Sequence, residues 1–287
     1  GGAINLRTRE VPTSSLVMGD VALGTRLQAK VHGVAAAGTE TWGVLAEGVF
    51  LRDDGFKVID HGGPTGFAKS EVMLKGRVSP HDAWKQRLEF KATLSTEDSH
   101  ETYLGLSAED FAVTPYRRYA ATALDRMQWA RLSAVASWSA QPTEALTLSA
   151  VAYRHAFDRT WNRVDRFRSG PDLFSLLAQP VSGGLDRQYL KVLRGEVDSS
   201  SPDESILVLA NQRTFVSEGV QLEGKLKFDT GPVHHEVEGG ARQLPLVLRG
   251  SSRLTSSAQN SWNRLAVASA RRSIRLEVNS CGRYQLD

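Results

Sequence analysis

The chain has 287 residues, of which 41% are hydrophobic, and a formal net charge of +3. This mild positive charge does not by itself indicate a nucleic-acid partner, and no apolar run approaches the ~20 residues that a membrane-spanning helix needs. Because Cys281 is the only cysteine, an internal disulfide and a multi-cysteine metal site are both excluded. No basic region followed by an apolar run is present, so no signal peptide is predicted within these residues.

Alternating apolar and polar residues predict a series of β-strands along the chain. The clearest cases are 87–95 and 220–229, where one face is apolar and the other carries charged side chains. Weaker alternation marks five further strands. These lie at 26–35, 42–51, 71–79, 131–140 and 145–152.

The connections between the predicted strands alternate in length. Short segments rich in turn-forming residues occur at 37–41, 79–84, 140–145 and 229–233. Long connections separate them. These run over roughly 53–69, 96–129 and 159–205. An antiparallel meander with short turns at one end and long loops at the other is the plan of an outer-membrane barrel.

A soluble β-sandwich or a lipocalin-like barrel also shows alternation and stays an alternative. Soluble barrels, however, fill their interior with large apolar side chains. Here the polar face carries long charged residues such as Arg87 and Lys91, while the apolar face includes small ones such as Ala29 and Ala92. A water-filled interior and a lipid-facing exterior fit this pattern better, so we predict an all-β, antiparallel transmembrane β-barrel.

The first ten residues, GGAINLRTRE, contain Gly1, Gly2, Asn5 and Thr8. This stretch resembles the last strand of the plug domain in TonB-dependent outer-membrane receptors. The resemblance implies that residues 1–10 end a plug, that a plug-to-barrel linker starts at Val11, and that 11–243 form the first part of the barrel. It also implies that a TonB box and most of the plug precede Gly1.

Three later stretches are similar to the ferric-citrate-type branch of that family. They are FLRDDGFK at 50–57, LSAEDFAVTPYRRYAATALDRMQW at 106–129, and YRHAFDRTWNRVD at 153–165. The resemblance implies uptake of an anionic iron chelate, ferric citrate or a siderophore, across the outer membrane of a bacterial cell. The expected partners are the ferric chelate, outer-membrane lipid and the TonB complex, with no nucleic acid and no cofactor held by the protein.

The predicted barrel is partial. Receptors of this kind close with ~22 strands, whereas the sequence offers about nine or ten strand candidates, so we expect the chain to belong to a longer receptor. After Arg242 the alternation fades, and 244–287 is rich in serine and arginine but contains no lysine. This tail is either a frame-shifted or divergent segment, or an ordinary long loop followed by weak strands.

The candidate ligand site lies in the stretch 114–129, within the long loop. Guanidinium groups donate paired hydrogen bonds to carboxylates, which suits an anionic chelate. The candidate residues are Tyr116, Arg117, Arg118, Tyr119, Arg126 and Trp129. Alternatively, these arginines pair with Asp125 or Glu109 and fix the loop, in which a capping-box pattern at 107–110 predicts a short helix.

A second cluster of basic and aromatic residues leaves the same two interpretations open. It consists of Arg159, Arg163, Arg166 and Arg168 with Trp161 and Phe167. No nucleophile, zinc or phosphate-binding motif is present, and the adjacent His234 and His235 would point to opposite faces of a strand. We therefore expect neither an enzyme nor a metal site. A passive porin, an adhesive barrel and a soluble β-rich binding protein remain the alternative functions.

Overall fold

The computed structural model describes residues 7–178, 184–243, 245–257 and 270–279, with side-chain environments up to residue 243. Its secondary structure is dominated by strands. They are β1 (Leu16–Leu23), β2 (Ala29–Gly38), β3 (Trp42–Asp53), β4 (Val58–Ile59), β5 (Phe67–Val78), β6 (Arg87–Ser99), β7 (Arg117–Arg118), β8 (Arg126–Ala140), β9 (Leu146–Phe167), β10 (Ile206–Thr230), β11 (Val233–Gln243), β12 (Pro245–Ser257) and β13 (Ala270–Asn279). The helices are α1 (Ala108–Val113), α2 (Leu173–Ala178), α3 (Leu185–Arg194) and two 3₁₀ turns, Ala120–Thr122 and Pro202–Glu204.

Eleven of these strands form one antiparallel sheet in the order β1-β2-β3-β5-β6-β8-β9-β10-β12-β13, with β11 also paired to β10. Strand β10 is long enough to pair with two different strands along the same edge. Its first half pairs with β12 and its second half with β11. The fold is therefore the predicted all-β, antiparallel partial barrel wall.

The segment that precedes β1 crosses one face of this sheet, which we call the inner face. Val11 is buried against Val34, Leu45 and Met73, and the Lys75 ammonium donates to the main-chain carbonyl of Arg9 at 2.6 Å. Cross-strand pairing identifies the residues of the other strands that lie on this same inner face. One row of paired residues runs from Glu47 through Met73, Thr93, Ser133 and His155 to Ser217.

Glycines on β2 and β3 permit the close approach of that crossing segment. A Cβ added at Gly43 would lie 2.6 Å from a methyl carbon of Val11, and one added at Gly38 would lie 2.5 Å from the Pro12 carbonyl oxygen. Because the wall presents no side chain at these two positions, the segment lies directly on its backbone. The contact fixes residues 8–12 at the end of the wall that carries the short turns.

The opposite, outer face exposes large apolar side chains. Leu222 is 56% exposed, and Leu88, Phe90 and Leu94 are each 51% exposed. They alternate with charged inner-face residues, as the sequence pattern predicts. Small residues such as Ala92 and Ala152 lie between them on the same face.

The predicted rhythm of the connections is also confirmed. Short turns follow β2, β5, β8 and β10, while the long connections follow β3, β6 and β9. Two strands are longer than the sequence pattern indicates. β9 continues to Phe167 and β10 begins at Ile206. The far half of β9 carries polar residues on both faces, whereas β10 begins with apolar residues on both faces at Ile206–Ala210, so neither stretch shows the period-2 signal.

Two of the three long connections, β6–β8 and β9–β10, pack together around their own apolar core. Its buried side chains include Leu104 and Tyr119 from the β6–β8 connection, and Leu176, Leu190 and Leu193 from the β9–β10 connection. The amphipathic helix α3 supplies much of this core, and it ends at Gly195, whose left-handed φ of 74° closes the last turn. The predicted short helix is present too, because α1 begins after Ser107, whose side chain accepts a hydrogen bond from the Asp110 amide.

We predict that Leu193→Ala loosens this loop core while leaving the wall intact. Leu193 is completely buried, and removing such a side chain costs about 2–5 kcal/mol. Hydrogen exchange should show lost protection across 185–194 but not in β6. The matched control is Leu124→Ala, at a side chain that is 42% exposed. Equal effects of the two substitutions would contradict a cooperative loop core.

Candidate ligand-binding site

Asp110, in helix α1, joins the long connections electrostatically. Its carboxylate accepts hydrogen bonds from the Tyr119 hydroxyl at 2.5 Å and from Nη2 of Arg194 at 2.8 Å. Arg117 bridges Asp110 and Asp60, at 2.8 and 3.0 Å. Burial opposes ionisation of Asp110, but the bonds from Tyr119 and Arg194 hold the pKa of its carboxyl below the ordinary value. Asp110 and Arg117 thus together join segments from the β3–β5, β6–β8 and β9–β10 connections.

Arg118 is committed to the same loop framework. It is 3% exposed, its Nε donates to the Thr122 hydroxyl at 2.9 Å, and its other nitrogens reach the carbonyls of Thr122 and His100. Tyr119 is 1% exposed. The side chains of Arg118 and Tyr119 are therefore both buried in main-chain and side-chain contacts within the loops.

The other candidate residues lie at separate places. Tyr116 is 58% exposed at the loop tip and packs edge-on against Phe56. Arg126 pairs with Asp98 on the outer face, while Trp129 lies on the inner face beneath the Lys69 ammonium, 5.5 Å from its ring centre. The six side chains do not converge on one site, and their direct contact with a ligand stays a prediction.

The predicted plug-end residues are described only in part. Gly1, Gly2 and Asn5 lie outside the described residues. Thr8 is described, and its carbonyl oxygen lies 3.5 Å from the Lys75 ammonium. The proposed division at residues 10 and 243 stays a prediction as well.

The second cluster splits between two environments. Phe167 is buried in the loop core, and Arg166 lies 3.7 Å from Asp165. Arg159, Arg163 and Trp161 instead face inward on β9. The alternation F-x-R-x-W-x-R over 157–163 is the sequence signal for this inward set.

Cross-strand pairing adds residues that sequence reasoning did not group with them. Arg213 lies directly opposite Arg159, which in turn lies opposite Trp129. Arg131 lies opposite Phe157, which contacts Phe215 with 5.9 Å between ring centres. We call this set the arginine–aromatic wall. Its members are Trp129, Arg131, Phe157, Arg159, Trp161, Arg163 and Arg213.

Asp125 is the most deeply buried carboxyl group near these residues, with no measurable exposure. It accepts hydrogen bonds from the Thr102 hydroxyl and the Val164 amide, both at 2.7 Å. Burial raises the pKa of Asp125 to about 6, outweighing these bonds and the nearby Arg118. Asp125 joins the base of the β6–β8 connection to strand β9.

Within the part of the chain that the structure describes, no group of three or more His, Cys, Asp or Glu side chains is placed to hold a metal ion. Helices long and apolar enough to cross a membrane are likewise not found among those residues.

Known structures share this fold at low sequence identity. The unliganded ferric citrate transporter FecA superposes with a TM-score of 0.59 and 15% identity, over 92% of this chain and 34% of that one. The siderophore receptor PiuA from Acinetobacter baumannii gives 0.64 and 10%, over 93% and 38%. This chain therefore spans little more than a third of either protein. No family model and no curated protein matches the sequence.

We predict that the raised pKa of Asp125 makes the loop anchor sensitive to pH. A carboxyl group whose pKa is raised on folding stabilises the fold fully below its ordinary pKa of 3.8, and this stability is lost as pH rises to about 6. The loss amounts to about 3 kcal/mol at most. Hydrogen exchange at the Val164 amide, corrected for its intrinsic rate, should report it.

The matched variant is Asp125→Asn, which keeps the shape of the side chain but does not ionise. Its Val164 amide should show no change in protection between pH 4 and 7. The same pH profile in both proteins would contradict a role for Asp125.

Proposed function

We propose that this chain is part of a longer TonB-dependent receptor that carries an anionic iron chelate, ferric citrate or a siderophore, across the bacterial outer membrane. The observation that carries this proposal is the outer face of the sheet. Its apolar side chains are ordered in rows across β3, β5, β6 and β10, and about half of each side chain is exposed.

Such a face is suited to lipid rather than water. Soluble monomers rarely expose contiguous apolar patches beyond a few hundred Å², and outer-membrane barrels present an apolar band ~25 Å tall. The alternating inner face carries Glu71, Lys75, Glu89 and Lys91. A soluble sandwich would reverse this arrangement, with apolar residues buried and charges outside.

The inner face also supports the proposed position of a plug. A cavity of about 550 Å³ lies between the crossing segment and the wall, and is lined by Arg7, Lys75, Arg87 and Lys91. In our proposal the plug precedes the crossing segment and fills the space beside this charged wall. The TonB complex would then act on a box located before the plug.

The joined long connections fit a role at the external mouth of such a receptor. The ion pairs of Asp110 and Arg117 join the three connections, and Tyr116 is exposed beside them. We propose that Arg117, Arg118 and Tyr119 shape the mouth, whereas Tyr116 meets the chelate. Iron enters as part of the ligand, so no protein side chain has to coordinate it.

The lipid-facing orientation predicts a labelling pattern. On a Cys281→Ser background, we place one cysteine at Leu222 and another at its neighbour Glu223. A water-soluble maleimide should modify position 223 readily and position 222 slowly, because thiolate formation requires water. A bilayer-confined quencher should quench a fluorophore only at position 222. The reverse pattern would show a soluble globule.

Transport itself is testable in cells that produce the longer receptor to which this chain is proposed to belong. Accumulation of radiolabelled iron from a ferric chelate should stop when the proton gradient is collapsed. A passive porin would continue to admit the chelate under those conditions. Absence of uptake for every anionic chelate tested would refute the proposed function.

A further inference from the structure

Four arginines of the arginine–aromatic wall form no ion pair in the described part of the chain, although Asp125 interacts electrostatically with Arg163 at longer range. Arg159 and Arg213 are direct cross-strand partners, an arrangement of like charges that destabilises a sheet. No carboxylate lies within 4 Å of Arg131, Arg159, Arg163 or Arg213 in the described part of the chain. Other arginines of the same sheet, such as Arg87, Arg126 and Arg154, do form ion pairs.

Aromatic rings hold three of these guanidinium groups in place. Arg131 lies 5.7 Å from the ring centre of Trp129 and 5.4 Å from that of Phe157. Arg163 lies 4.8 Å from Tyr103 and 5.4 Å from Trp161, and Arg159 lies 5.7 Å from Trp161. Stacking occupies the flat faces of a guanidinium and leaves its N–H edges free to donate.

Further polar atoms of this patch have no protein partner. They are Nε of Arg159, Nε1 of Trp161 and Oδ1 of Asn211, each buried and without a hydrogen bond to the described residues. Asn211 is the cross-strand neighbour of Trp161. Since buried polar groups are normally satisfied, their concentration beside four unpaired arginines indicates a place where an outside group completes the bonding.

From this arrangement we propose that the arginine–aromatic wall is a binding site for a planar aromatic polyanion, an aryl ligand that carries carboxylate or phenolate oxygens. Cations and rings alternate along β9 and across to β8 and β10. An aryl anion uses both components, because its oxygens accept from the guanidinium edges while its rings pack against Phe157 and the indoles. A small aliphatic polycarboxylate uses only the charges.

This inference rests on the proposed function, since it names the class of chelate that the same receptor takes. It predicts selectivity for an aryl iron chelate over ferric citrate. The alternative occupant is an acidic segment of the receptor itself, which would neutralise the arginines without any added ligand.

The test uses the protein in outer-membrane vesicles and two probes, the ferric complexes of 2,3-dihydroxybenzoate and of citrate. Tryptophan fluorescence and retention of radiolabelled iron report binding. The wild-type protein should bind the aryl complex about tenfold or more tightly than the citrate complex, as an aromatic contact in addition to the charges implies. Heat-dependent gel mobility verifies that each variant is folded.

Three substitutions separate the contribution of the guanidinium charge from that of the aromatic ring. Arg159→Gln should weaken binding of the aryl complex by about 10- to 100-fold, as expected for loss of a charged hydrogen bond. Phe157→Leu should weaken the aryl complex but leave the citrate complex unchanged. Arg154→Gln is the matched control, because Arg154 lies on the outer face of the same strand, and it should change neither.

Each other outcome overturns a definite claim. Tighter binding of the citrate complex would refute the aryl site, and so would a selectivity that Phe157→Leu does not change. Neither result would refute the proposed function if uptake still depends on the proton gradient. Binding that is insensitive to Arg159→Gln would refute the wall as the ligand site, as occupation by an internal acidic segment predicts. Absence of both binding and uptake would refute the proposed function itself.

Discussion

The structure depends on the strict alternation of side chains across one continuous, hydrogen-bonded antiparallel sheet. Each strand sends neighbouring residues to opposite faces, so a one-residue slip would exchange the apolar outer face for the charged inner face. The registers are continuous from β1 to β10, apart from one irregularity between Leu207 and Val208. This alternation places Lys75 and Lys91 beside the crossing segment while Leu74 and Phe90 face outward.

Sequence patterns predict the sheet well where one face is apolar and the other polar. The strands at 87–95 and 220–229 are predicted for this reason, and the alternation of short and long connections predicts that the strands form an antiparallel meander. The far half of β9 escaped prediction because both faces carry polar residues there, as at Asp158 and Arg159, and that of β10 because its first residues, Ile206–Ala210, are apolar on both faces. β1 was also missed, since Gly19 and Asp20 interrupt its apolar residues.

The candidate site was harder to predict, because burial is a property of the folded loops. Arg118 and the exposed Tyr116 are two residues apart in one motif, yet the loop core buries only Arg118. The capping-box pattern gives Asp110 only a local role at a helix start, since nothing in the sequence reveals that Arg117 and Arg194 both reach it. The arginine–aromatic wall combines β8, β9 and β10, and only cross-strand pairing brings Arg213 to Arg159.

The length of two strands has a geometric consequence. A barrel strand needs only about 9–11 residues to cross the hydrocarbon layer, whereas β9 has 22 and β10 has 25. In the receptor proposed above, at ~3.3 Å per residue and a tilt near 45°, this excess raises the β9–β10 connection by roughly 25–35 Å. The wall is therefore tallest at β9 and β10. In that receptor, a solute arriving from outside would meet β9 and β10 before it reached the level of the bilayer.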